Sequence, residues 1–187
     1  MNPAKVLLVT LLAGTLSIGI ALYGEHWLAE RGDGQVVANR QSDRVNSLPD
    51  IRLPDIEGRE IASNSWAGKV VILNFWATWC TPCLREMPVL AQLQNGVDAG
   101  RLQIVGIAID NADSVGQFLE EHSINYQILL GDADSIALSK RLGNRTSGLP
   151  FTVVFDRQGR RVYSHAGEIS AAQLLDRVVP LLGTESG

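Results

Sequence analysis

Residues 69–88, K-V-V-I-L-N-F-W-A-T-W-C-T-P-C-L-R-E-M-P, hold the only two cysteines of the chain, Cys80 and Cys83. Val70–Trp76 is an unbroken run of β-branched, aliphatic and aromatic residues around Asn74, the pattern of a buried strand. Thr78–Pro82 is a polar turn, and Leu84, Met87, Leu90 and Leu93 then recur at helical spacing. The first thiol therefore stands where a helix begins. Unpaired N–H groups and the positive end of the helix dipole favour a thiolate there, drawing Cys80 below the free value of about 8.5. Cys83 follows one turn deeper on the same face, within reach of a disulfide, and Pro82 suits the opening turn because no N–H is needed there. The chemistry this predicts is thiol–disulfide exchange, with Cys80 attacking a partner disulfide and Cys83 resolving the mixed disulfide.

Two plainer uses of the pair are weaker. A zinc site needs four ligands, whereas the chain has no second cysteine pair and its histidines, His26, His122 and His165, are scattered. A purely structural disulfide over so short a loop removes little entropy from the unfolded chain. Asp110, Asp113, Asp132 and Asp134 lack EF-hand spacing and read as caps or turn residues, so no metal is expected.

The order V-I-L-N-F-W-A-T, W-C-T-P-C, Pro88 and a later Gly148-Leu149-Pro150 resembles the thioredoxin superfamily. It is most similar to the membrane-anchored TlpA/ResA/CcmG-like branch, over roughly residues 48 to 183. The resemblance implies a thioredoxin-like α/β fold, with a mixed central β-sheet flanked by helices and an N-terminal β-hairpin extension. It implies a cis bond before Pro150, which sequence alone assigns trans, and a groove where the Leu149 backbone pairs with a substrate segment. Where thioredoxins hold a buried acid this chain has Asn74, an amide without proton chemistry near neutrality. The branch answers with a glutamate three residues after the second cysteine, here Glu86; from spacing alone Glu86 reads more readily as a solvated residue near a helix N-terminus, where the dipole favours it. Pro88 matches the family's helix kink. The expected site is thus Cys80, Cys83, Glu86 and Pro150 for catalysis, with Trp79, Thr81, Pro82 and Leu149 contacting substrate; Trp76 is either a neighbour of the site or packing.

Residues 6–23 carry no charge and would span about 27 Å as a helix, enough to cross a bilayer. Lys5 precedes them and Glu25 and Glu30 follow, which keeps the amino terminus cytoplasmic and the rest outside. Residues 1–23 are accordingly read as a signal anchor. Gly19-Ile20-Ala21 offers a passable cleavage site, in which case the chain would be released to the periplasm. Residues 24–47 are polar and read as a flexible tether, leaving 48–187 as the thioredoxin-like domain. A net charge of −4 gives no reason to expect nucleic acid.

Beyond the anchor, Leu48–Ser63 predicts two short strands turned at Glu57-Gly58. After the motif, Leu102–Ile109 is a buried parallel strand, Asp113–His122 a helix, Tyr126–Leu130 a strand and Ser135–Leu142 a helix ended by Gly143. Phe151–Phe155 and Arg160–Ser164 form an antiparallel hairpin, and Ser170–Leu182 an amphipathic helix. His165 reads as a surface or packing residue.

The expected function is a thiol–disulfide oxidoreductase without a cofactor, anchored in a bacterial inner membrane with its catalytic domain in the periplasm. It would reduce disulfides in client proteins, apocytochrome c during cytochrome c maturation being the client the resemblance suggests. A membrane donor of the DsbD/CcdA type would supply electrons. The alternatives are an oxidase or isomerase of the same fold, and a Sco-like copper-binding module using the two thiols and His165. A peroxidase of related fold would lack the W-C-x-x-C setting.

Overall fold

The computed structural model describes residues 45–183. The expected span at 6–23 lies outside them, and among the described residues no helix is long and apolar enough to cross a membrane. The expected tether meets the described residues only at its end. There the Val45 N–H donates to Arg141 O, and Ser47 forms an isolated antiparallel bridge with Arg160.

The chain runs β1 (Arg52–Pro54), β2 (Glu60–Ala62), a 3-10 turn (Ser63–Trp66), β3 (Val70–Trp76), α1 (Thr81–Gly96), β4 (Leu102–Ala108), α2 (Ala112–Glu121) and β5 (Gln127–Leu130). It continues through α3 (Ala133–Arg141), β6 (Phe151–Phe155) and β7 (Arg161–Ala166) to α4 (Ala171–Leu182). A five-stranded sheet has the order β5-β4-β3-β6-β7. β3, β4 and β5 are parallel neighbours, while β6 and β7 join antiparallel. This is the mixed sheet the motif order predicts, with β1 and β2 paired separately as the N-terminal hairpin.

Every residue of β3 is buried, because it is the central strand and is covered on both faces. Ile72 and Trp76 face the cluster built with Met87 and Leu90 of α1, Phe118 of α2 and Val178 of α4. Val71, Leu73 and Phe75 face the opposite cluster, with Leu138 of α3, Leu53 of β1 and Trp66. Three helices therefore cover one face, and α3 with the hairpin covers the other. The edge strand β7 alternates between half-buried and exposed positions. α4 buries Leu174, Val178 and Leu182, a single stripe at i, i+4 and i+8, and a capping box between Ser170 and Gln173 starts it.

Both hairpins are turned by the same five-residue device, D-I-E-G-R at 55–59 and D-R-Q-G-R at 156–160. In the first, Asp55 Oδ1 accepts from the N–H groups of Glu57 and Arg59, and Oδ2 from Arg59 Nε at 2.8 Å. In the second, Asp156 accepts in the same way from Gln158, Arg160 and Arg160 Nε at 2.7 Å. Gly58 and Gly159 take the left-handed φ, +80° and +73°, that closes each turn. Burial pushes both aspartates' pKa up, but the arginine and backbone hydrogen bonds outweigh it and hold them below the usual carboxylate range.

Candidate functional site

Cys80 is the N-cap of α1, with Thr81 and Pro82 opening the helix, and its Sγ accepts the Cys83 N–H at 3.3 Å. The two cysteines are joined in a disulfide, with Cα atoms 5.3 Å apart. They differ in access: Cys80 keeps 5% of its surface exposed and Cys83 none. A sulfur at the N-cap receives the N–H groups and dipole that favour a thiolate, so the accessible sulfur is also the more activated one.

One turn on, Glu86 is buried at 1% exposure, which excludes the solvated alternative. Its partners are not the sulfurs. Oε1 accepts from Asn74 Nδ2 at 2.6 Å and Oε2 from the Ile169 N–H at 2.9 Å. Pairing of β3 with β6 sets Asn74 opposite Thr152, and Asn74 Nδ2 also donates to Thr152 Oγ1 at 3.0 Å. Burial pushes the Glu86 carboxyl up to about 7; the Ile169 and Asn74 hydrogen bonds oppose the rise, and the nearby Glu168 charge adds to it. Glu86 is therefore a carboxyl that can gain or lose a proton at neutral pH, one helical turn from Cys83. The loop carrying Ile169 is tied to α1 by an exposed pair, Arg85 Nη2 to Glu168 Oε2 at 2.6 Å. It is tied to the proline that precedes β6 by the Gly167 N–H donating to Pro150 O.

The Leu149–Pro150 bond is cis, as the resemblance implies. Because Phe151 pairs with Phe75, Pro150 lies at the end of β3 from which the chain runs into Cys80. Pro150 is buried and Leu149 half-buried, and the loop before them is held by Asn144 Nδ2 donating to Gly148 O. Trp79 is 70% exposed beside Cys80, and Thr81 is exposed with Pro82 half-buried, so these residues form the outer surface around the disulfide. Trp76 is fully buried, its ring 5.2 Å from Phe118, and belongs to the core. His165 stacks on Tyr163 and its Nε2 lies 3.2 Å from Glu168 O. Among the described residues no group of three or more His, Cys, Asp and Glu side chains is placed to hold a metal ion.

Asp110 is the site residue that sequence reading missed. It caps no helix: its Oδ2 accepts from both the Thr78 N–H at 3.0 Å and the Thr78 hydroxyl, fastening the turn that presents Trp79 and Cys80. Burial pushes its carboxyl up, yet the Thr78 and Asn111 donors overcome this and hold it below its ordinary value. The available signal is position, an aspartate at the C-terminal end of a parallel strand, where such sheets place their sites. Asp110→Ala is expected to cost about 2 kcal/mol in urea unfolding at neutral pH, since charge-assisted hydrogen bonds are lost. Unchanged stability would show that the Thr78 turn holds without it.

Residues 45–163 match the model of the AhpC/TSA family. The chain belongs to the AhpC/TSA family. Within it, the chain is similar to the thiol-disulfide oxidoreductase ResA of Bacillus thuringiensis (strain Al Hakam), at 26% identity over 94% of this chain and 95% of the relative. The ResA of Bacillus subtilis (strain 168) is 29% identical over 75% of this chain and 78% of its own. Among solved structures, a thiol:disulfide interchange protein of the thioredoxin family from Chlorobium tepidum TLS superposes with a TM-score of 0.67. It is 28% identical and covers 75% of this chain and 98% of its own. This AhpC/TSA member is a thiol–disulfide oxidoreductase of the ResA type, with the thioredoxin-like α/β fold.

Proposed function

We propose that the protein is a periplasmic, membrane-anchored reductase of client disulfides. The observation that carries this reading is the Cys80–Cys83 disulfide at a helix N-terminus with the neutral-range carboxyl of Glu86 buried behind it. In the reduced protein the Cys80 thiolate attacks a client disulfide, forming a mixed disulfide and expelling one client thiolate, which takes a proton from solvent. Cys83 passes its proton to Glu86 and attacks Cys80 Sγ, breaking the bond to the client and releasing the second client thiolate, which is protonated as Glu86 gives that proton up. The client gains two electrons and two protons, and the protein is left oxidised. A membrane dithiol donor of the DsbD/CcdA type then restores it. Trp79, Thr81, Pro82, Leu149 and Pro150 form the surface a client segment meets. The uncharged residues 6–23 would provide the anchor, and apocytochrome c is the client we propose, by analogy with the TlpA/ResA/CcmG-like branch.

The test is the reduction potential of the full chain in a dithiothreitol buffer series. A value near or below about −270 mV is expected of a donor-fed reductase, whereas one near about −120 mV would identify an oxidase and overturn the proposal.

A further inference from the structure

Glu86 and Cys83 are sealed from solvent at 1% and 0% exposure, so what lies behind them governs how the carboxyl is held. On the sheet face that packs against α1, Asn74 Oδ1, Trp76 Nε1 and Tyr126 Oη are buried with no hydrogen-bond partner among the described residues. Each such atom costs about 1–3 kcal/mol if left bare. The strand register gathers them. Asn74 pairs with Gly106 and Gly106 with Ile128, and Tyr126, two residues before Ile128, shares its face. A Cβ at Gly106 would lie 2.6 Å from Ile128 Cδ1, 3.0 Å from Trp76 Nε1 and 3.3 Å from Tyr126 Cε2, so the Ile128 methyl covers the glycine and the Trp76 and Tyr126 rings meet beside it. Asn74 Nδ2 is committed to Glu86 and Thr152, which turns Oδ1 away from them.

The three atoms are an obligate donor, an acceptor, and a hydroxyl that serves as either. A single water matches that set, accepting from the Trp76 indole, donating to Asn74 Oδ1 and exchanging a hydrogen bond with Tyr126. We propose that Asn74, Trp76 and Tyr126 bind one internal water among their three polar atoms, beside Gly106 and the Ile128 methyl, and that this water fixes the Asn74 amide with its N–H aimed at Glu86. Tyr126 is thereby a positioning residue for the carboxyl. Its ring lines two surface concavities, one beside Arg59 and Ile124 and one beside Lys69 and Asn125, and so stands between the water and solvent. The ionisable groups around Glu86 are Cys83 and Arg85 on α1, Tyr126 before β5 and Glu168 in the β7–α4 loop; β3 and β6 present only Asn74 and Thr152. The importance of the water for exchange rests on Glu86 being the proton acceptor; the water site itself does not.

The experiment is NMR on the full-length protein in detergent, comparing wild type with Tyr126→Phe. A long-lived water cross-peak is expected at the Trp76 indole N–H, weakened or lost in the variant. The carboxyl carbon of Glu86 should titrate about one pH unit higher in the variant, because the carboxylate loses a fixed donor. A Trp76 indole with no water contact, or a Glu86 titration unchanged by Tyr126→Phe, would overturn the proposal. Neither readout uses exchange activity. A Glu86→Gln protein that exchanges disulfides normally would remove the proton-acceptor role while these two measurements still decide the water.

Discussion

Cys80→Ser is expected to reduce disulfide exchange to the uncatalysed background, while Cys83→Ser keeps the first attack and accumulates a mixed disulfide with the client. The asymmetry follows from access and electrostatics. Only Cys80 reaches the surface, and only its sulfur occupies the N-cap, where it accepts the Cys83 N–H. Lowering a thiol from about 8.5 to about 7.5 raises its thiolate fraction at pH 7 roughly eightfold, and stronger shifts are known at helix N-termini. Cys83, wholly buried, has no path to a client sulfur until Cys80 has brought one in. Mass spectrometry of the trapped species settles the order of events: an adduct on Cys83 in the Cys80→Ser protein would reverse these roles.

Glu86→Gln is the second large effect, and it has a pH signature. The carboxyl's pKa rises from 4.5 in the unfolded chain to about 7 in the folded one, chiefly because burial penalises its charge. Between those values the native state binds more protons at this site than the unfolded state. Stability therefore falls as pH rises from 4.5 to 7, by on the order of 3 kcal/mol, and is level above that. The variant should lack this slope. Asp55, Asp110, Asp132 and Asp156 have depressed values, so their contributions are lost only as pH falls below about 4, outside the window. Urea unfolding of the oxidised protein at about pH 4.5, 6 and 8 tests this directly, and parallel pH profiles for wild type and variant would refute the buried-carboxyl assignment. The glutamine side chain of the variant can be accommodated if the Asn74 amide turns over to accept its N–H, so the protein should fold. Exchange should slow by about a hundredfold, the ordinary contribution of one proton-transfer group.

The two cysteines and the glutamate are unequally legible without the fold. Cys80 and Cys83 can be read from local order alone, since strand, turn and helix N-terminus are neighbours in the chain and the dipole argument needs nothing distant. Glu86 is visible as a spacing, but spacing by itself favours a solvated side chain near the helix N-terminus over a buried one. What decides between them is Ile169, which lies 83 positions away in sequence and donates its N–H to the carboxyl.

The apolar run of β3, the helical stripe of α1 and the glycine turns of the hairpins follow from periodicity and backbone sterics, which are properties of short segments. The sequence by itself determined those elements, their order, and the redox pair at a helix start. Tertiary structure decided everything that depends on strand register. Pairing of β3 with β6 sets Asn74 beside Thr152, and pairing of β3 with β4 sets it beside Gly106. The Thr78 turn is fastened to Asp110, 32 residues on. Trp76 and Trp79 illustrate the division: three residues apart in one motif, one is sealed in the core and the other is 70% exposed at the disulfide. The physical reason is that burial and hydrogen bonding depend on which distant groups the packed sheet brings within a few ångströms, and no local pattern encodes that distance.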